Sequence, residues 1–346
     1  MPIKVNAPCA NKYEFQVLFY TARITHKLGL HSRGEVVKVN QHHTIVCIGQ
    51  RIAPIMMNAP KFVTIIIFAL FLQGCSWVTM GYNNFDVYLR YKIGGYASFT
   101  TSQQTIIRQE VADYMAWHRQ HALPEYIIFL KDVELLTRQT QPPSSTDIAR
   151  LRARVNTLYI TSILPAITPA ANVLSTLDES QITQFEKKLA EDNTKLEQEL
   201  LDHEIEKTLE KRVQRTIDFF EQFVGNLNAD QEEKIRAASL RLPFITEIFL
   251  NQRKASQVKL LSMLHNKATA ETIAEFLNSL TFTPELARMT NEQVLIEQFK
   301  RESDEFIAKS YAMLRADQKQ TFQKNIASYI EDFQKLHKAI LPKPTR

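Results

Sequence analysis

Glycine almost disappears from this chain after residue 95, where Gly225 alone remains of eight. A phosphate-cradling loop needs several glycines close together, so that backbone N–H groups can approach the phosphates. The Gly-x-Ser-x-Gly elbow of a hydrolase needs two around its nucleophile. Neither pattern occurs beyond residue 74. Cysteine is scarcer still: of Cys9, Cys47 and Cys75, only Cys75 lies beyond residue 74. That excludes a disulfide framework from the longer part of the chain. An excess of positive charge is missing there as well. Residues 1–74 hold eight Lys/Arg and two Asp/Glu of the chain's 42 and 37, leaving 34 basic and 35 acidic residues to follow. The overall charge of +5 therefore gives no ground for a nucleic-acid partner.

One long apolar run is present. Phe62 to Leu72 contains Thr64 as its one polar residue, follows Lys61, and ends in Leu72-Gln73-Gly74-Cys75-Ser76. A membrane-spanning helix takes about 20 apolar residues, and runs of roughly 10 to 14 are more often signal h-regions or core helices. A buried core helix and an uncleaved single-span anchor both account for the apolar content. The ending resembles the lipobox of a bacterial lipoprotein signal, with Leu72, Gln73, Gly74 and Cys75 in its four places. That resemblance implies a diacylglyceryl group on the Cys75 thiol, cleavage after the small Gly74, and acylation of the freed amine. Ser76, where Asp is the residue that retains such proteins in the inner membrane, implies the periplasmic side of the outer membrane. Met56 and Met57 offer starts that give a signal of ordinary length. The expected division is an N-terminal extension outside the native protein (1–55), a signal peptide (56–74), a lipid-anchored linker (75–81) and a helical periplasmic domain (82–340). Trp77 and Tyr82 suit the headgroup level of a membrane that the chain is leaving.

Beyond residue 82 helix formers dominate and no alternating pattern persists, which predicts an all-α fold. Ile107, Val111, Met115 and His118 share one face of a helix over about 101–121. Pro124 opens another, to about Gln139. Ile148, Leu151, Val155, Leu158 and Ile163 mark a helix ending toward Pro165 and Pro169. From Ile182 to Val224, apolar residues recur at helical spacing, which predicts one very long helix over about 178–225. At 1.5 Å per residue about 45 residues span roughly 68 Å, the spine of an elongated multi-helix bundle. Further helices are expected over about 229–264 with a kink at Pro243, then about 269–280, 291–313 and 316–339.

A short pattern recurs at Phe99–Gln103, Leu177–Gln181, Leu227–Gln231, Met289–Gln293 and Leu314–Gln318: an apolar residue four positions before a glutamine. In the first four, Thr, Asp or Asn follows the apolar residue, which is capping-box spacing. Arg315 breaks the pattern in the fifth. As capping partners alone, these glutamines would be replaceable by glutamate. The motif also looks like the Leu-Thr-x-x-Gln repeat of small helical periplasmic chaperones such as spheroplast protein Y, which implies a surface for unfolded envelope clients. A second resemblance rests on Leu72–Ser76, Tyr82-Asn83-Asn84-Phe85-Asp86, Tyr114-Met115-Ala116-Trp117-His118-Arg119 and Leu123-Pro124-Glu125-Tyr126. These are similar to a family of uncharacterised bacterial lipoproteins defined by a domain of unknown function. It implies a lipid-anchored, all-helical envelope protein and no particular reaction.

The densest chemical cluster is Trp117, His118, Arg119, Glu125 and Tyr126, to which Tyr82, Asn83 and Asp86 are added as a possible interaction site. His118 and His121 could share a metal by spacing, yet no third ligand is indicated. His118 could act as a base near neutral pH, yet no nucleophile or carboxylate partner accompanies it. It is expected to be a hydrogen-bonded core or interface histidine, with Arg119 pairing Glu125 across the Leu123-Pro124 turn. No catalytic residue, metal or cofactor is assigned. The expected role is binding or structural, with the membrane as partner through Cys75. A tethered chaperone or stress sensor and a cell-envelope enzyme are the alternatives.

Overall fold

The computed structural model describes residues 77–202, 204–282 and 290–339. Leu72, Gln73, Gly74, Cys75 and Ser76 lie outside the described residues, as do segments 1–55 and 56–74. Among the described residues every regular element is helical and there is no strand. The helices are α1 (Trp77–Asn83), α2 (Phe85–Gly94), α3 (Thr101–Trp117), α4 (Leu123–Thr137), α5 (Ser145–Leu174) and α6 (Glu179–Leu200). They continue as α7 (Ile205–Val224), α8 (Ala229–Arg241), α9 (Thr246–His265), α10 (Ala270–Phe282), α11 (Thr290–Ala312) and α12 (Ala316–Lys338). A π-helical turn, His118–Ala122, joins α3 to α4. Helix α1 begins at Trp77, inside the stretch expected to be linker.

Helix α5 is long and apolar enough to cross a membrane by length and composition alone, but here it is the axis against which α3, α4, α10 and α11 pack. Helix α12 lies on α4, α7 and α1, while α8 packs on α7 and α9 on α6. The apolar stripes meet in separate clusters. Ile107, Val111 and Met115 of α3 receive Tyr82, Phe85, Leu89 and Ile93 from α1 and α2. Ala171, Leu177, Ile182, Leu264 and Ile273 join α5, α6, α9 and α10. Val213, Ile217 and Val224 of α7 pack with Ile235, Phe306 and Tyr311. Gly225 ends α7 at φ 77°, a left-handed conformation that favours glycine.

Two expectations fail. Helix α5 does not end at the prolines but runs through Pro165 and Pro169 to Leu174. Pro165 has no N–H for the carbonyl four residues back and opens that turn. One residue after that carbonyl the Tyr114 hydroxyl donates to the Ser162 carbonyl at 3.1 Å, and burial of Ile167 and Ala171 holds the far half in place. The very long helix over 178–225 is two helices. Leu201 turns extended at φ −116°, ψ 163°, and the Asp202 N–H donates to Thr208 Oγ1 at 2.7 Å. Basic side chains of α7 then satisfy the last carbonyls of α6: Lys211 donates to Gln198 (3.3 Å) and Leu201 (3.0 Å), and Arg215 to Glu199 (3.2 Å). A helix C-terminus with its orphan carbonyls and negative dipole end is where such cations belong. No single spine of about 68 Å exists; each half is roughly 30 Å long.

The recurring glutamines do more than cap. Thr100, Asp178 and Asn228 each accept from the N–H of the glutamine three residues on, and each glutamine Oε1 accepts from the N-cap N–H in return. The same amides then pair. Gln103 and Gln181 exchange hydrogen bonds of 3.1 and 2.8 Å, and Gln231 and Gln318 exchange bonds of 2.7 and 3.0 Å. The second N–H of each goes to a loop carbonyl: Thr176, Ser98, Met313 and Asn226 respectively. All four glutamines are buried, and each has its amide N–H donors and carbonyl oxygen engaged. The fifth copy, which looked broken, completes the second clasp. Arg315 has no acceptor side chain, so its guanidinium donates to Gln231 Oε1 at 3.1 Å instead, while its N–H still donates to Gln318 (3.0 Å). The fourth copy, Met289–Gln293, begins outside the described residues. Glutamate is therefore no neutral replacement: it would lack the donors these clasps use.

Candidate functional site

Pro124 shapes this region. It has no N–H for the Gln120 carbonyl, and the π turn before it closes by a bond from the Leu123 N–H to the His118 carbonyl, five residues apart. The widened turn places His118 at the junction of α3 and α4, against α1 and α5. Tyr82 Oη lies 2.8 Å from His118 Nδ1, and His118 Nε2 lies 3.3 Å from Tyr126 Oη. Tyr126 Oη is 2.6 Å from Ser162 Oγ, which donates to the Leu158 carbonyl at 2.7 Å. That last carbonyl can only accept, so it orients the whole chain. Ser162 gives it its single proton, Tyr126 therefore donates to Ser162, His118 Nε2–H donates to Tyr126, and Tyr82 donates to Nδ1. The histidine is the neutral Nε2–H tautomer.

Burial acts on the three titratable members and on Tyr114 beside them. It lowers His118 to about 4 and pushes Tyr114 up to about 12. It also raises Tyr82, against the opposing pull of the Arg119 cation, and Tyr126, against its bond to Ser162. At neutral pH the chain is uncharged from end to end. It transmits position from α1 to α5 through four side chains, and it presents neither an ionised base nor an activated nucleophile.

The other expected residues divide. Arg119 stacks over the Tyr82 ring at 5.1 Å and donates to Asn83 Oδ1 at 2.9 Å. Its expected partner Glu125 instead accepts from Arg154 at 2.6 Å, because the π turn rotates Arg119 toward α1. Asp86 pairs with Arg90 at 3.0 Å within α2, away from the centre. Trp117 stacks on His121, centroids 5.7 Å apart and planes 13° apart, and His121 Nδ1 lies 3.1 Å from the Trp117 carbonyl. His121 thus points away from His118. Among the described residues no group of three or more His, Cys, Asp and Glu converges to hold a metal. A cavity of about 140 Å³ opens beside the chain, lined by Trp117, His121, Tyr126, Arg154 and Ser162 among others, too small for most organic ligands. Sequence reasoning missed Tyr114 and Ser162. The available signal was a serine three residues before a proline, in the apolar second half of its helix.

No curated protein and no solved structure matches the chain. A family model does: residues 95–285 match the family of unknown function DUF6279. The matched stretch contains Trp117, His118, Arg119, Glu125 and Tyr126, and it stops short of Tyr82, Asn83 and Asp86. Covering more than half of the sequence, it makes this protein a member of that family.

Proposed function

We propose that this protein is a lipid-anchored, all-helical component of the cell envelope, with a binding or structural role and no catalytic one. One observation carries the reading: an apolar run led by Lys61 and closed by Leu72-Gln73-Gly74-Cys75, with helix α1 beginning two residues later at Trp77. A short apolar run led by a lysine and closed by a small residue and a cysteine is the arrangement that a lipidated N-terminus requires. The uncharged His118 chain supports the non-catalytic half of the proposal, since it ends on a main-chain carbonyl and holds three helices together. The burial of Gln103, Gln181, Gln231 and Gln318 removes the client surface that the repeats alone would have supplied to a chaperone.

The test is labelling of the protein in cells with a palmitate analogue, followed by membrane fractionation. Wild-type protein takes the label and bands with the outer membrane, Ser76→Asp bands with the inner, and Cys75→Ala is unlabelled and keeps its signal. Maturation of Cys75→Ala to the wild-type size overturns the proposal.

A further inference from the structure

The residues of α1 and α2 fall on two opposite sides. Tyr82, Phe85, Leu89 and Ile93 face α3. Met80, Val87 and Tyr91, spaced by seven and four, share the outward side and are 48%, 54% and 77% exposed. Asn84 alone separates the two helices, and the Tyr88 N–H still donates to its carbonyl at 3.2 Å, so the outward side runs almost unbroken from Met80 to Gly94.

Val87 and Tyr91 on that side form one wall of a cleft of about 870 Å³ between α2, α3 and α6. The cleft collects four cations, Arg90, Arg108, Lys187 and Lys188, against one carboxylate, Glu191. Arg90 and Lys188 are answered by Asp86 (3.0 Å) and Asp192 (2.6 Å). Arg108 and Lys187 are exposed and have no acidic partner among the described residues. An exposed tyrosine and aliphatic side chains beside unanswered cations are the composition of a surface lying in a bilayer interface with anionic headgroups.

We infer that the outward side of α1–α2 rests on the membrane and that the cleft between α2, α3 and α6 receives the phosphate headgroup of an anionic phospholipid. The inference builds on the proposed anchor at Cys75. Val87 lies ten residues beyond Trp77, where α1 begins, and Tyr91 fourteen. At 1.5 Å per residue a helix standing upright would lift them roughly 15 and 21 Å above Trp77. Lying flat, it brings Met80, Val87, Tyr91 and the cleft mouth to one level.

The test uses protein purified from envelopes, with Cys9 and Cys47 changed to serine so that an unprocessed chain carries no competing thiol there, and one cysteine introduced for an environment-sensitive dye. The dye sits at Val87→Cys or, as a control, at Val258→Cys on α9, where the native side chain is 67% exposed. The protein is reconstituted into vesicles containing brominated lipids, either phosphatidylcholine alone or with about one third phosphatidylglycerol, enough to set a negative surface potential. Expected is at least twofold stronger quenching at residue 87 than at 258 in the anionic vesicles. Arg108→Gln with Lys187→Gln should reduce it to the level of phosphatidylcholine alone. Equal quenching at the two positions, or no response to lipid charge or to the double substitution, overturns the inference. Micromolar binding of glycerol 3-phosphate in detergent, abolished by the same substitutions, also overturns it by assigning the cleft to a soluble phosphate ester. The mass of the Cys75 peptide reads lipidation separately, so failure of the anchor and failure of the membrane face are distinguishable.

Discussion

The His118 centre and the cleft between α2, α3 and α6 are both rich in polar side chains, and they are opposites. In the first, four side chains from α1, the α3–α4 junction, α4 and α5 pass one oriented set of hydrogen bonds to a main-chain carbonyl. Burial opposes charge on His118, Tyr82 and Tyr126, so the network is closed. In the second, four cations meet one carboxylate at an open mouth, and Arg108 and Lys187 are left unanswered. The first looks functional in the sequence because Trp, His, Arg, Glu and Tyr crowd together. The second has no motif at all, since its residues come from three separate helices. Crowding along the chain measures how much a turn must satisfy. Unsatisfied charge in space marks what the surface has left to offer a partner.

The largest expected effect comes from placing a charge inside a closed network. In Gln181→Glu the carboxylate would face Gln103 Oε1 and the Ser98 carbonyl, where N–H donors now stand at 2.8 and 2.9 Å. An uncompensated buried charge costs about 3–5 kcal/mol, so the thermal midpoint should fall by roughly 10 °C. Part of that loss should return at acid pH, where the carboxyl regains a donor. Gln184→Glu on the same helix still accepts from the Ser98 N–H, at 2.7 Å, and should stay within about 0.5 kcal/mol. Calorimetry of the two variants decides. Equal midpoints would show that the clasps bear no load.

That contrast also measures how far the sequence could be read. The capping boxes at Thr100, Asp178 and Asn228 were legible because a box is local: donor and acceptor lie three residues apart. The clasps were not, because Gln103 meets Gln181 across 78 residues and Gln231 meets Gln318 across 87. Apolar spacing correctly placed Ile107, Val111 and Met115 on a buried face. The same spacing failed from Leu200 to Ile205, since a helical period continues across a break whose cause, Lys211 and Arg215 reaching back to α6, is tertiary. Pro165 misled for the same reason: the burial of Ile167 and Ala171, which carries the helix past it, is tertiary. At the candidate site, His118 as a hydrogen-bonded interface residue was readable. Its partners Tyr82 and Tyr126 stood in the same expected cluster, but Ser162 was not distinguished from its neighbours, and Arg119 was matched to the nearest acid along the chain rather than to Asn83.

A smaller effect is expected from acid. His118 is lowered by burial to about 4 from its ordinary 6.5, so between these values the unfolded chain binds a proton that the folded chain refuses. Stability held above pH 6.5 is therefore lost as pH falls toward 4, by about 3 kcal/mol. The groups facing the ring add no countercharge: Tyr82, Tyr114 and Tyr126 are neutral, and Arg119 over Tyr82 opposes a second cation. His118→Gln keeps a donor and an acceptor without titrating. Chemical denaturation at pH 7.5 and 4.5 should show a smaller pH difference in that variant than in wild type. An unchanged difference would place the acid sensitivity elsewhere, for example in the acidic partners of the surface pairs.

The smallest effect is expected where charge is removed from the open region. Arg108→Gln and Lys187→Gln take away cations with no acidic partner among the described residues, and neither side chain is buried. Surface substitutions of this kind stay within about 0.5 kcal/mol. Their sign should be favourable, because Arg90 and Lys188 remain close by in the same cleft, and removing one of several like charges relieves repulsion. Added salt should narrow even this difference, the Debye length being about 10 Å at 0.1 M. The measurement is the denaturation midpoint of single and double variants at two salt concentrations. A loss above 1 kcal/mol would mean that Arg108 or Lys187 is engaged in holding α3 to α6, which would make the cleft another closed network rather than an open one.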